Sequence, residues 1–299
     1  MKISVVIPTY GRSKLVLRVL ERLTRFKDIN EIIVVVDEDK ITKDTVSKYA
    51  DKRVKLIFNK KANGLPSARN QGSKLAKGDV VIFLDDDAIP RKGWLEELLK
   101  PYEDKSVGGV GGSEIKNEED NFLRKLWFYL RGNKTGRIYL SGEVLSNFTP
   151  HKDNMEFVDT LVGCNMSFRK EVVQKLDFDT NYKGNAFREE TDYCFNVKKI
   201  GYKLVFNPNA KVRHYQSSGG VRLESLKKWC YWESRNTTYF FLKNIYQNSK
   251  FKWWQYLIKQ NAMSVIRCIM YKSQAPYIYF RKGLRDGIEF SKKELDIEI

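Results

Sequence analysis

The chain has 299 residues, 42% of them hydrophobic and 13% aromatic, and a formal net charge of +17 at pH 7. That composition excludes a disordered chain, and no uninterrupted apolar run approaches the roughly 18 residues of a membrane-spanning helix. The length suits one large domain or two smaller ones.

Met1-Lys2 leads directly into "ISVVIPTY", which lacks the pattern of a signal peptide, so a cytoplasmic location is expected. Cys164, Cys194, Cys230 and Cys268 are widely spaced with no CxxC, which fits reduced, buried thiols better than a zinc site or a disulfide framework.

The N-terminal half alternates two periodicities. "ISVVIPTY" reads as a strand, "SKLVLRVLERLTRF" as a helix, "EIIVVVDED" as a buried strand and "TKDTVSKYA" as a helix. "VKLIFN", "PSARNQGSKLA" and "VVIFLDDD" continue as strand, helix and strand. Alternating units with near-continuous apolar strands predict an α/β fold, a mostly parallel sheet flanked by helices. Thr9, Asp37 and Asp85 to Asp87 fall at strand ends and should gather at the carboxyl edge, where such sheets bind ligands. Beyond "GWLEELLKPYED" come a glycine-rich strand, "SVGGVGGSEI", and a less regular polar region through about residue 155, where His151 is assigned no role. A boundary near Ser218-Gly219-Gly220 divides residues 1–220 from a basic, aromatic-rich helical extension, 221–299.

Three adjacent carboxylates at a buried strand end repel one another, and a divalent cation such as Mn²⁺ or Mg²⁺ relieves that crowding. In an extended chain Asp85 and Asp87 share one face. This assigns metal to Asp87, metal or a ribose hydroxyl to Asp85, and a structural part to Asp86; a solvated, helix-capping acidic turn is the alternative. In "REETDY", Glu189 or Glu190 could act as a general base, with Asp192 organising the cluster. The same three acids also suit the first turn of a helix, where they meet its dipole. His214, at the end of "AKVRHY", could complete a metal site as a neutral imidazole or be structural.

The order of these motifs resembles glycosyltransferase family 2. "VVIPTYGR", "NGLPSARNQGSKLAKGDVVIFLDDDAIPRKGWLEEL", "VDTLVGCNMSFRKEVV" and "FREETDYCFNVKKIGYKLVFNPNAKVRHY" are similar to its successive segments. The resemblance covers roughly residues 1–220. It implies a Rossmann-like GT-A fold and inverting transfer from a UDP-, GDP- or dTDP-sugar to a glycan or lipid-linked acceptor. By position it implies donor contacts from Pro8, Thr9, Tyr10, Asp37, Arg69, Asp85 and Asp86, and metal contacts from Asp85, Asp87 and His214. Glu190 would be the base with Glu189 beside it, and Gly163, Cys164, Asn165 and Asp192 would lie on the acceptor side. Two departures stand out: Glu190 replaces the family's usual aspartate, and Glu38-Asp39-Lys40 replaces a Gly-Ser turn, leaving the nucleobase open.

Between Leu226 and Arg285 twelve Lys/Arg face a single acidic residue, Glu233, and four of the six tryptophans lie between Trp229 and Trp254. "KFKWWQYLIK" suits packing on the catalytic part with its lysines outward, or contact with an anionic membrane surface that makes the protein peripheral on the cytoplasmic face. Stacking on single strands is the remaining option, but no nucleic-acid partner is expected. Rival functions are a nucleotidyltransferase, a nucleic-acid-binding module and an inactive transferase-like scaffold. The first strand lacks the basic glycine-rich loop that a triphosphate would need.

Overall fold

A computed structural model describes residues 1–115, 129, 132, 134–149, 154–215, 225–247 and 249–298. His151 and the boundary expected at Ser218–Gly220 lie outside them. Strands and helices alternate as β1 (Ile3–Thr9), α1 (Ser13–Leu23), β2 (Ile29–Asp37), α2 (Lys40–Ser47), β3 (Val54–Asn59), α3 (Leu65–Leu75) and β4 (Val80–Leu84). Next come β5 (Ala88–Pro90), α4 (Trp94–Leu99), β6 (Val107–Ile115), and a small pair, β7 (Arg137–Ile138) with β8 (Val144–Leu145). The strands β9 (Glu156–Val158) and β10 (Asn165–Arg169), the helices α5 (Lys170–Lys175) and α6 (Glu189–Lys199), and the long strand β11 (Lys203–His214) complete this part.

The main sheet runs β3-β2-β1-β4-β10-β6-β11-β5, with β9 on β11. Pairing is parallel from β3 through β4, antiparallel around β10, and parallel again between β6 and β11. Both faces are covered. On β4, Val80, Ile82 and Leu84 join one apolar cluster while Val81 and Phe83 join the other, the period-two division of a strand between two cores. Helix α1 buries Val16, Val19, Leu20 and Leu23, a three-to-four spacing that lays one stripe on the sheet.

Glycine in β6 allows close approach. A Cβ at Gly112 would collide with the Ala210 carbonyl oxygen and the Asn165 side chain. Gly112→Ala should therefore destabilise by about 1–3 kcal/mol, read by urea unfolding; no change in midpoint would mean the strands can part there freely.

The C-terminal part is helical: α7 (Leu226–Phe241), a π-helical turn at Leu242–Tyr246, α8 (Lys250–Met270) and α9 (Ala275–Leu295). Ser225 and Ser249 cap α7 and α8 through backbone N–H groups of the first turn. Tyr239, Phe240, Phe241, Tyr256, Phe280 and Leu284 form a third core that takes in Tyr182 and Ala186 from the preceding segment. The C-terminal helices are thus packed onto the preceding α/β part. Cys164, Cys194 and Cys230 are buried free thiols, whereas Cys268 is only partly covered. Among the described residues no helix is long and apolar enough to cross a membrane.

Candidate active site

A cavity of about 860 Å³ opens at the carboxyl ends of β1, β2 and β4, lined by Pro8, Thr9, Tyr10, Asp37 and Asp85 to Asp87 among others. The acidic triplet is not extended. Strand β4 stops at Leu84, and the Ala88 N–H donates to the Asp85 carbonyl at 3.1 Å, closing a turn. The alternation expected of a strand is therefore lost. Asp86 and Asp87 share one cation, Arg12 Nη1, at 2.8 Å each. Arg12 escaped the sequence reading; the arginine that ends "TYGR", directly after the first strand, was the available signal. Thr9 Oγ1 donates to Asp86 at 2.6 Å. Burial pushes the Asp86 carboxyl up to about 6, against the opposing pull of Arg12 and Thr9.

Strand β5 explains how a histidine distant in sequence arrives. Register between β11 and β6 slips between Asn207 and Val212, around Pro208, which has no N–H to offer. Past the slip, Val212, Arg213 and His214 pair antiparallel with Pro90, Ile89 and Ala88. This pairing puts His214 Nε2 2.8 Å from Asp87 Oδ1. Its Nδ1 bonds the carboxylate of Glu114, a residue the sequence reading missed because "SVGGVGGSEI" was read only as a glycine-rich strand. Burial opposes protonation of His214, but the Asp87 and Glu114 carboxylates on its two ring nitrogens favour it and raise the imidazole pKa.

Asp85, Asp87 and His214 each offer a ligand atom, all within 4.8 Å of one another. Two carboxylate oxygens and an imidazole held from behind by a carboxylate are a donor set that fits Mn²⁺ or Mg²⁺. Glu114, Cys164 and His214 form an overlapping set. Burial pushes the Cys164 thiol up to about 12, and a soft thiolate suits Mn²⁺ or Mg²⁺ less well than carboxylate oxygen does. The carboxylate set is the better fit.

Arg69 is fully buried in α3 and joins this turn to α6. Its Nη2 reaches Asp85 at 3.2 Å and the Gly163 carbonyl at 2.9 Å, and its Nη1 pairs with Glu189. Glu189 is buried, with Oε2 lacking any hydrogen bond. Glu190 is engaged differently: Thr191 Oγ1 reaches its carboxylate at 3.3 Å. Burial raises its pKa while the neighbouring Arg188 lowers it. Glu190 is not on the cavity wall itself, but its Cβ lies beside Gly163, whose carbonyl Arg69 holds. Arg188 was also missed. Its backbone is left-handed at φ 78° and its Nε has no hydrogen-bond partner, a local strain of the kind found at functional sites.

The remaining expected residues divide. Asp37 reaches the wall, but its oxygens accept from Asn59 Nδ2 at 2.6 Å and from the N–H groups of Asn63 and Gly64 at 3.0 and 2.9 Å, fixing the loop before α3. Cys164 sits buried beside His214. Asn165 is spent internally, accepting from Trp94 Nε1 and donating to the Ala210 carbonyl. The structure does not bring Asp192 to the cavity. It is buried and accepts from Lys243 Nζ at 2.9 Å and Asn244 Nδ2 at 2.7 Å, fastening the π-helical turn to α6. In the other direction, Lys183, Asn185 and Trp229, none of them singled out from sequence as site residues, line the cavity.

The pattern of glycosyl transferase family 2 matches residues 4–177. A glucosyl-dolichyl phosphate glucuronosyltransferase of Haloferax volcanii is 28% identical over 238 residues, covering 72% of this chain and 69% of that protein. A dolichol-phosphate mannosyltransferase of Pyrococcus furiosus is 30% identical over 195 residues, 60% of this chain and 49% of that protein. Among solved structures, the mannosyltransferase PcManGT from Pyrobaculum calidifontis, in complex with GDP-Man and Mn²⁺, superposes with a TM-score of 0.59 at 16% identity, over 99% of this chain and 88% of that one. S. aureus TarS 1–349 in complex with UDP gives 0.57 at 15% identity, over 100% and 76%. These likenesses show a shared GT-A fold. With the family pattern matched over more than half of its length, the chain belongs to glycosyl transferase family 2.

Proposed function

We propose that this glycosyltransferase is metal-dependent and inverting, moving a sugar from a nucleoside-diphosphate donor to a glycan or lipid-linked acceptor. The observation that carries this reading is the convergence of Asp85, Asp87 and His214 within 4.8 Å. Asp85, Asp87 and His214 all line the large cavity as well. Support comes from the solved neighbour with GDP-Man and Mn²⁺, and from relatives named for dolichyl phosphate substrates.

In this reading Asp85, Asp87 and His214 would hold Mn²⁺ or Mg²⁺, which when bound would neutralise the departing diphosphate. Arg12 keeps Asp86 and Asp87 folded into the turn, and Glu114 fixes the imidazole so that Nε2 faces Asp87. Pro8, Thr9, Tyr10 and Asp37 form the nucleoside end of the cavity. Glu190 takes the proton of the acceptor hydroxyl, whose oxygen attacks the anomeric carbon as the nucleoside diphosphate leaves. One carboxylate suits a single displacement, hence inversion, because Glu189 is committed to Arg69. Residues 1–220 form the catalytic unit, and 221–299 an extension that helps wall the cavity through Trp229.

Thermal unfolding with UDP, GDP, dTDP and their sugars, with and without Mn²⁺, tests the metal assignment. The matching nucleotide should stabilise only with Mn²⁺, by about 2.7 kcal/mol at a hundredfold excess over Kd. Asp87→Ala should abolish that gain. Equal stabilisation without metal, or in Asp87→Ala, overturns the assignment. Release of nucleoside diphosphate rather than pyrophosphate during turnover separates sugar transfer from nucleotidyl transfer.

A further inference from the structure

Helix α8 has its amphipathicity in an unusual place. Its inner face packs: Tyr256 is fully buried, stacked on Phe241 with ring centroids 4.3 Å apart, and Trp253 joins the same cluster. Its outer face is apolar too. Phe251, Trp254, Ile258, Ile266, Ile269 and Met270 are 71%, 62%, 68%, 47%, 73% and 67% exposed. Their spacing keeps them on one stripe along the helix, and Lys250, in the first turn, is the only charge among its exposed positions. A soluble helix ordinarily turns charge to water there, and a continuous apolar stripe of this length marks an interaction surface.

We propose that the outer face of α8 seats the protein on an anionic lipid bilayer, lying in the headgroup plane with Phe251 and Trp254 in the interface and the aliphatic side chains just below it. Charge selects this occupant. From Leu226 to Arg285 the only acidic residues among the sixty are Glu233 and no other, against twelve Lys/Arg, and Glu233 is already paired with Arg267. Exposed Lys250 and Lys272 bracket the stripe at its two ends. These terminal lysines are drawn to anionic headgroups, whereas a second copy would bring the same lysines against them. Single-stranded nucleic acid is a poorer match, since Ile258, Ile266 and Ile269 offer no ring on which a base can stack. With no helix able to cross a bilayer among the described residues, the attachment is peripheral. The inference stands on this surface alone and does not depend on the transferase reading.

Sedimentation of the full chain with phosphatidylcholine vesicles, with and without phosphatidylglycerol, tests it. The chain should pellet with the anionic vesicles at low salt, and less well with neutral ones. Trp254→Glu/Ile258→Glu, which alters two side chains pointing away from every core, should weaken that binding on the order of a hundredfold while leaving the thermal midpoint unchanged. Retained binding in that variant, or no pelleting of the unaltered chain, overturns the proposal. So does light scattering that shows a dimer which the same double variant dissociates, because the stripe would then be a self-interface. A bound oligonucleotide competing fully with anionic vesicles would also count against it.

Discussion

Glu190→Gln is expected to lower kcat by about 10²–10⁴-fold while nucleotide binding stays nearly unchanged, because in the proposed mechanism it removes the proton acceptor and little else. Burial raises the Glu190 pKa above the usual 4.5, with Arg188 and Arg69 opposing the rise. A base works deprotonated, so kcat/KM should climb with pH through that raised pKa and the acidic limb should disappear in Glu190→Gln. Arg188→Met removes the principal opposing charge and should move the limb to higher pH. Glu189→Gln should behave otherwise, losing stability through Arg69 but keeping the limb. Should Glu190→Gln retain the limb and Glu189→Gln lose it, the base is Glu189.

Arg69→Met should destabilise the fold by about 3–5 kcal/mol, read as a lower urea midpoint without a change in slope. The guanidinium is fully buried and neutralises Glu189, itself buried, while also holding Asp85 and the Gly163 carbonyl. Removing it leaves a carboxylate in the interior with no counter-charge. The partner test is specific: Arg69→Met/Glu189→Met should cost clearly less than the two single changes added together, since no unpaired charge remains. Additive losses, or a single-mutant cost below about 1 kcal/mol, would reduce the pair to a surface-type contact.

Much of the fold was legible because it is local. Near-continuous apolar strands and three-to-four-spaced helices do not depend on distant partners, so "SVVIPT", "IIVVVD" and "VVIFL" could be placed in a sheet from sequence alone. The ordered motifs likewise pointed to the family before any distance was known. The acidic triplet shows the limit. Its position at a strand end was readable, but its alternation was not, since the strand ends at Leu84 and a turn carries Asp86 and Asp87 onto Arg12.

By itself, then, the sequence determined the alternating architecture, the crowding of carboxylates at its carboxyl edge and the basic character of the C-terminal helices. Only the tertiary structure decided their partners. Glu114 meets His214 across 100 residues, and Arg69 meets Glu189 across 120, through sheet register and helix packing that leave no periodic trace. The same holds for Asp192, whose acidic neighbourhood suggested the site but whose oxygens Lys243 and Asn244 occupy. Composition announced an aromatic and basic tail. Which rings turned inward, as Trp253 and Tyr256 did, and which stayed bare, as Phe251 and Trp254 did, depended on the surface that the rest of the fold offered them.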